Sequence, residues 1–376
     1  MSATWTQRTT ADGAEAVGVA SATRPARFEY LDEAYARLHR WGPEFGEEGS
    51  ENGLANHAPM VAEILCRRGF GDRVEPWLDR YVRRLEELPH ERDPITAETW
   101  REAMGKRARI GDWAAYFLRA VSEAPWQEVL AEWWPRLLPA IASGATHGLI
   151  RTGHAVRNIV EGDGSEVAVH EVANALGYWA ARAIYVPGVA APAGDLGPDV
   201  ALSSLPRLAD QSGVIRDRFA RLASLDSWTP AVASLRAPDG DDGVLSALSE
   251  LTAAGVRQYT THGYGSPVLL VHCATAPHAM EQVLPVLPRD LWEPSFAATW
   301  AACAALTVAY APAKGHRVEA PEGLDQDELM ERAAQHGDEH VIKLTDAVLD
   351  TYASTGDHLA IAAATACSER IEPPSS

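Results

Sequence analysis

The histidines are the residues of this chain whose chemistry and placement most suggest a function. There are 13 of them, and eight lie in or beside apolar segments. A neutral imidazole ring is a common metal ligand and can act as an acid or base near neutral pH. In any single case a hydrogen-bonded histidine in the core is the simpler interpretation, so only the whole set indicates a function. The eight are His57, His147, His154, His170, His262, His272, His278 and His340.

The most informative stretch is the segment 144–154, which reads GATHGLIRTGH. On a helix, His147, Arg151 and His154 would share one face at spacings i, i+4 and i+7. The three glycines of the segment each cost a helix roughly 1 kcal/mol relative to alanine, which is usual where a ligand or another backbone approaches closely. The two histidines would lie about 10.5 Å apart along the helix axis, so both can line one cavity but joint ligation of one ion is awkward. The alternative is a tight helix crossing with polar residues on the seam.

Two more histidines lie at the ends of apolar segments. His57 follows Asn56, a good cap for the apolar helix that comes next. The ring of His57 would then lie close to backbone N–H groups, although an ordinary cap is an equal alternative. His272 comes directly after an apolar run, where a polar ring is costly unless it is paired. His278 is more consistent with a turn, so His272 is the stronger candidate.

Lys343 is one of only three lysines in the chain, and it lies between Ile342 and Leu344. On a helix it would share a face with His340, at spacing i, i+3. Burial would lower the pKa of its amine. A neutral amine can pair, form a Schiff base, or react with carbon dioxide to give a carbamate. The alternative is a lysine that reaches toward solvent beside Asp346 or Asp350.

Histidines on separate helices with apolar flanks, together with this unusual lysine, are typical of a metal site inside a helical bundle. A set of mostly neutral imidazoles with one anionic ligand suits Fe(II), and Mn or Zn would also fit. The residues alone do not decide whether His154 or His278 belongs to the ligand set.

Helical periodicity dominates the chain, and few segments alternate in the manner of a strand. The sequence therefore predicts an all-α protein: a loose arm at 1–25 and one large multi-helix domain at 26–376 that encloses a metal and substrate pocket. The predicted helices span 28–41, 60–66, 74–85, 95–104, 113–121, 126–141, 146–160, 167–185, 205–222, 244–252, 268–287, 291–310, 324–334, 340–352 and 358–367.

Composition and motifs exclude several classes of protein. The net charge of −19 argues against nucleic-acid binding and against docking on anionic membranes. No apolar run approaches the roughly 18 residues of a membrane span, and the N-terminal residues do not resemble a signal peptide. The four cysteines form no CxxC motif, and dinucleotide-binding, P-loop, nucleophile-elbow and HExxH motifs are absent. We therefore expect a cytoplasmic protein; its oligomeric state is not predictable from the sequence.

Four segments together resemble the questin oxidase-like family, over about residues 28–370. The matching residues are Asn56-His57 with Met60, the block 144–151, His272 with Thr275, and the segment 338–343. The family is all-helical and contains oxygenases that open anthraquinone rings in aromatic polyketide pathways. Its metal site is non-haem iron held by four histidines and a carboxylated lysine.

Position by position, the resemblance implies that His57, His147, His272 and His340 are metal ligands. Lys343, as its carbamate with carbon dioxide, would be the anionic ligand. The family pattern has a second histidine four residues after the first in the third block. In this chain Arg151 takes that place, and His154 lies three residues further on.

The resemblance implies an Fe(II)-dependent oxygenase that uses dioxygen to cleave a polycyclic phenol or quinone, or to insert oxygen beside its ring carbonyl. His154 would be an acid or base, Arg151 would hold negative charge on oxygen, and aromatic side chains would stack on the substrate. Two alternatives stay open. One is a metal-free, NADPH-assisted Baeyer–Villiger monooxygenase, and the other is a protein that binds polyketides without chemistry.

Overall fold

The structure is a computed structural model that describes residues 26–44, 55–162, 164–316 and 325–374. Of these described residues, 71% are helical and only two short strands occur among them; they form a single helical domain, which confirms the predicted fold class. The strands are β1 (Trp41–Glu44) and β2 (Leu85–Glu87). The α-helices are α1 (Ala26–Leu38), α2 (Ala58–Arg67), α3 (Val74–Tyr81), α4 (Trp100–Ala103), α5 (Ile110–Glu123), α6 (Trp126–Leu137), α7 (His147–Glu161), α8 (Glu166–Ala181), α9 (Pro198–Ser204), α10 (Ile215–Leu222), α11 (Trp228–Ala233), α12 (Gly240–His262), α13 (Pro267–Leu270), α14 (His272–Val283), α15 (Trp292–Tyr310), α16 (Gln326–His336), α17 (Glu339–Thr355) and α18 (His358–Arg370).

Helix α7 runs through the centre of the domain. Every residue from His147 to Ile159 is buried, because α2, α8 and α14 pack around this helix. Helix α17 packs against both α2 and α14, so the four helices α2, α7, α14 and α17 form one group. A helix covered on all sides can carry polar residues only where those residues find partners, and α7 carries several.

Two glycines of α7 serve its packing. A Cβ atom on Gly148 would lie 2.4 Å from Cγ of Trp179 on α8, and one on Gly153 would lie 2.7 Å from the carbonyl oxygen of Ala279 on α14. Distances below 3 Å are incompatible with a side chain, so both glycines allow neighbouring helices to approach α7 closely. The tight crossing considered from the sequence is therefore present.

Several predicted boundaries were wrong for identifiable reasons. The helix expected at 205–222 is reduced to α10, since Pro206 and the left-handed Gly213 interrupt its first half. The helix expected at 95–104 is reduced to α4, whereas 244–252 is only the middle of the longer α12. Helices α9 and α11 were not predicted. Short helices carry too few periods to be recognised from the pattern alone.

Three other expectations concern the ends, the cysteines and the membrane. The predicted arm at 1–25 lies outside the described residues. All four cysteines are buried and free. No helix among the described residues is long and apolar enough to cross a membrane.

Candidate metal centre

The four histidines implied as ligands all lie at the N-terminal ends of helices. His57 is the N-cap of α2, His147 and His272 are the first residues of α7 and α14, and His340 is the second residue of α17. Because the four helices belong to one packed group, their first turns meet inside the domain. A helix N-terminus carries partial positive charge, which favours the neutral form of a nearby imidazole.

Three of these imidazoles lie within ligand distance of a common point. One ring nitrogen each of His57, His147 and His340 lies within 4.8 Å of the other two. Nε2 of His57 and Nε2 of His147 are only 2.7 Å apart. The ring centroid of His272 is 4.5 Å from that of His147 and 5.7 Å from that of His340, so the fourth imidazole lies directly beside the other three.

His272 is fully buried, and neither of its ring nitrogens has a hydrogen-bond partner. Nδ1 of His340 also lacks one. Buried polar groups are nearly always paired, so several unpaired imidazole nitrogens in one place indicate a group that they bind. The donor set suits a transition-metal ion.

Lys343 lies one turn further along α17 from His340 and is 1% exposed. Its Nζ is 3.3 Å from Nε2 of His147. The alternative of a lysine that reaches solvent beside Asp346 or Asp350 is wrong, because both carboxylates pair with Arg67 and Arg68 instead. Lys343 thus points toward the cluster of imidazoles.

The environment favours the neutral forms of His57, His147 and His272 and shifts Lys343 toward its neutral form. Burial, together with nearby positive charges, lowers the pKa of His57, His147 and His272 well below its usual value. Burial also lowers the pKa of Lys343 to about 8, although nearby carboxylates, chiefly that of Glu339, oppose the shift. A free amine is the form that reacts with carbon dioxide.

The turn that leads into α7 has an unusual backbone. Gly144, Ala145 and Thr146 have φ values of 54°, 54° and 67°, in the left-handed region. Ala145 and Thr146 are the only residues other than glycine with positive φ among those that the structure describes. Such strain is characteristic of functional sites. The turn lets the carbonyl of Gly144 accept a hydrogen bond from Nδ1 of His147, which leaves Nε2 free to bind a metal.

A cavity of about 680 Å³ opens onto the imidazoles. All four histidines line it, and its other walls include the apolar side chains Ile184, Ile215, Val268 and Leu269. This volume is in the range of small-molecule sites. We expected several aromatic side chains to stack on a substrate, but Tyr178 is the only Phe, Trp or Tyr among the described residues that line this cavity.

Arg151 and His154 do not line this cavity. Arg151 forms a bidentate ion pair with Glu171 of α8, at 2.5 and 3.0 Å. His154 bonds through Nδ1 to Glu63 of α2, at 2.7 Å, next to Arg157. His278 also lies outside the imidazole cluster and pairs with Asp350. The catalytic roles predicted for Arg151 and His154 stay predictions, and both residues act in the structure as buried partners of carboxylates.

The sequence reasoning missed the groups that surround His57. Glu44 of β1 accepts a hydrogen bond from Nδ1 of His57 at 2.7 Å, and Tyr81 accepts one from the backbone N–H of His57. Arg84 bonds to Glu44 and to Glu339 of α17. These residues come from three separate parts of the chain, so no local spacing could have revealed them.

The fold and site define an all-helical protein with a histidine-rich cavity suited to a metal ion. The sequence profile of the questin oxidase-like family matches residues 73–167, about a quarter of the chain. The matched segment includes the left-handed turn and His147. This match agrees with the resemblance found in the sequence. No curated protein matches the chain.

Proposed function

We propose that this protein is a non-haem Fe(II)-dependent oxygenase that acts on a polycyclic, anthraquinone-like aromatic polyketide. The family match supports an oxygenase of this substrate class. The main support for a metal ion is the convergence of four buried imidazoles. Both ring nitrogens of His272 have no hydrogen-bond partner. A purely structural histidine in a core would be hydrogen-bonded.

The ligands would be His57, His147, His272 and His340, with Lys343 as its carbamate. The carbamate requires carbon dioxide and gives the site one anionic oxygen donor among neutral nitrogens. That combination suits Fe(II), with Mn or Zn as alternatives that metal analysis would distinguish. The burial of Lys343 supports this assignment, since an unmodified ammonium group beside four imidazoles would be costly.

Bound Fe(II) would supply the one-electron chemistry that dioxygen needs to react with an organic substrate. The protein's own contribution is positioning. Glu44 holds the N–H of His57, and the carbonyl of Gly144 holds that of His147, so both rings present Nε2 to the same point. The apolar residues of the cavity wall would contact flat rings, and the charged residues Arg107, Arg182, Arg216 and Asp217 also line the cavity.

The outcome would be insertion of one oxygen atom of dioxygen beside a ring carbonyl, with ring cleavage or lactone formation. The second oxygen atom would leave as water, with two protons and with two electrons from a hydroquinone form of the substrate or from NADPH. Arg151 and His154 would support the site indirectly. Arg151 joins α7 to α8 through Glu171, and His154 joins α7 to α2 through Glu63.

The test uses the three lysines as a matched set. Lys343 is 1% exposed, whereas Lys106 and Lys314 are exposed. After equilibration with ¹³C-bicarbonate, we expect one carbamate resonance in wild-type protein, its loss in Lys343→Met, and its retention in Lys106→Met and Lys314→Met. Metal analysis of protein purified without added metal should find about one iron per chain in all but Lys343→Met.

The results separate this proposal from its alternatives. Active protein that contains no stoichiometric metal, tolerates chelators and requires NADPH would indicate a metal-free monooxygenase. Tight binding of anthraquinones without oxygen consumption would indicate a binding protein. A carbamate signal that survives Lys343→Met would refute the assignment of the anionic ligand.

A further inference from the structure

Two buried glutamates lie beside the imidazole of His57. Oε1 of Glu44 is 2.7 Å from Nδ1 of His57, and Oε1 of Glu339 is 3.8 Å from the same atom. Glu44 is 2% exposed and Glu339 is 3% exposed. Burying two carboxylates so close together is costly unless positive charge is near.

Arg84 is the cation that the structure provides. Its Nη2 lies 2.7 Å from Oε2 of Glu44 and 3.0 Å from Oε1 of Glu339. Tyr81 adds a hydrogen bond from its hydroxyl to Oε1 of Glu44. Two carboxylates and one guanidinium leave a net charge of −1, which favours a cation at the imidazoles.

The short β-ribbon explains how Glu44 reaches this place. Glu44 pairs with Leu85 in the antiparallel register of β1 and β2. Tyr81 and Arg84 come from the end of α3 and the turn just before β2. The ribbon therefore brings Glu44, Tyr81 and Arg84 together next to the N-cap of α2, and Arg84 ties this group to α17 through Glu339.

The hydrogen bond to Glu44 determines which nitrogen of His57 carries the proton. A carboxylate accepts only, so Nδ1 must be the donor and Nε2 keeps its lone pair. Nε2 is the atom that lies 2.7 Å from Nε2 of His147. Without the carboxylate, the proton could move to Nε2 and the ring would face its neighbours as a donor.

We propose that Glu44, held by Arg84 and Tyr81, is a positioning residue that fixes His57 in the tautomer able to bind a metal ion. Glu339 completes the same carboxylate pair and links it to the helix that carries His340 and Lys343. This inference rests on the proposed function, because it assumes that the imidazoles bind a metal. Hydrogen-bond partners of metal-bound histidines typically change metal affinity by 10- to 100-fold.

The test compares two Glu→Gln substitutions in buried Glu–Arg pairs. Glu44→Gln removes the carboxylate beside His57, and Glu171→Gln removes the one that pairs with Arg151, away from the cavity. Metal affinity is measured with Zn²⁺ and Fe²⁺ by competition with a chromophoric chelator. We expect a loss of about 10- to 100-fold in Glu44→Gln and a change of less than about threefold in Glu171→Gln.

A second readout needs no metal. ¹⁵N NMR of the metal-free protein distinguishes the two histidine tautomers. His57 should be protonated at Nδ1 in wild-type protein, and this preference should weaken in Glu44→Gln, because a glutamine side chain can either accept from Nδ1–H or donate to Nδ1. Tyr81→Phe removes the hydroxyl that helps to hold the carboxylate of Glu44, so it should weaken the preference for Nδ1 and provides a second variant if Glu44→Gln does not fold.

The outcomes separate the two proposals. Wild-type protein that binds neither ion would refute the metal centre itself. Unchanged affinity and unchanged tautomer in Glu44→Gln, with metal bound normally by wild-type protein, would overturn the role of Glu44 alone. An equal loss of affinity in Glu171→Gln would show that any buried ion pair has this effect, and it would also overturn the proposal.

Discussion

Glu63 lies at the centre of a buried ion-paired cluster, and replacing it should change how stability depends on pH. Its carboxylate accepts hydrogen bonds from His154 at 2.7 Å and from Arg157 at 2.8 and 2.5 Å. Burial alone would raise the pKa of Glu63. The charge of Arg157 and the hydrogen bond from His154 outweigh burial and lower this pKa to about 2.

The size of the effect follows from that shift. An unfolded glutamate has a pKa of about 4.3, and each pKa unit corresponds to about 1.4 kcal/mol. A shift of roughly two units therefore contributes about 3 kcal/mol to the free energy of unfolding. Because the folded-state pKa is the lower one, this contribution is fully present above about pH 4.3. It is lost as the pH falls toward 2.

Urea unfolding of wild-type protein and Glu63→Gln, from pH 7 to pH 3, measures this contribution to the free energy of unfolding. Glu63→Gln should be less stable than wild-type protein by about 3 kcal/mol or more at pH 7, since breaking a buried ion pair is itself costly. The difference between the two proteins should shrink below about pH 4.3, because Glu63 then binds a proton in the unfolded wild-type protein while it stays ionised in the folded protein until about pH 2. Glu75→Gln, at an exposed position of α3, controls for the loss of one carboxylate.

Parallel stability curves for wild-type and Glu63→Gln protein from pH 7 to pH 3 would refute this reasoning. They would mean that the Glu63 carboxylate is not held in its ionised form by its partners. Metal content provides a further check. Glu63 lies six residues beyond His57 on α2, about 9 Å along the helix axis, so the folded variant should still bind metal.

Two further predictions concern packing and solvent. Gly148→Ala should destabilise the protein by about 1–3 kcal/mol in urea unfolding, because its Cβ would meet the ring of Trp179 at 2.4 Å. Gly197→Ala should not destabilise the protein, because nothing lies within 4 Å of the new Cβ. Equal losses of stability in the two variants would argue that packing is not the cause. A crystal structure should show an ordered water in the cavity of about 20 Å³ that Asn56 and Tyr178 line, because Asn56 Nδ2 and the Tyr178 hydroxyl lack partners. A dry cavity would contradict this.

The long helices were predictable because their apolar period persists over many turns. The segment expected at 291–310 became α15, from Trp292 to Tyr310, within one residue. The two short strands were not predictable. Trp41–Glu44 contains a glycine and a proline, and it pairs with residues more than 40 positions away. Pairing of this kind depends on tertiary contacts that no local pattern records.

The convergence of the four imidazoles was predictable from the sequence, whereas the groups that hydrogen-bond to His57 were not. His57, His147, His272 and His340 were recognised from their apolar flanks and from the family resemblance, and the structure brings the four rings together. The same reasoning placed His154 and Arg151 at the substrate because they share a helical spacing with His147. The spacing of residues determines which face of a helix they share. Because α7 is covered on all sides, residues one or two turns apart on one face contact different neighbouring helices.

Two polar layers lie along the four helices that carry the imidazoles. The first layer contains the imidazoles at the helix starts. The second layer lies six or seven residues further along the same helices, about 9–10 Å deeper. It consists of Glu63, His154, His278 and Asp346, whose partners include Arg68, Arg157 and Asp350. Ion pairs such as Arg157–Glu63 and Arg157–Asp346 join α7 to α2 and α17 in one register. A slip of one residue along any of these helices would break those buried pairs and also move one imidazole by about 1.5 Å from the common point. The second layer therefore supports the register of the four helices through several ion pairs, so the loss of one pair should lower stability while the remaining pairs keep the imidazoles in place.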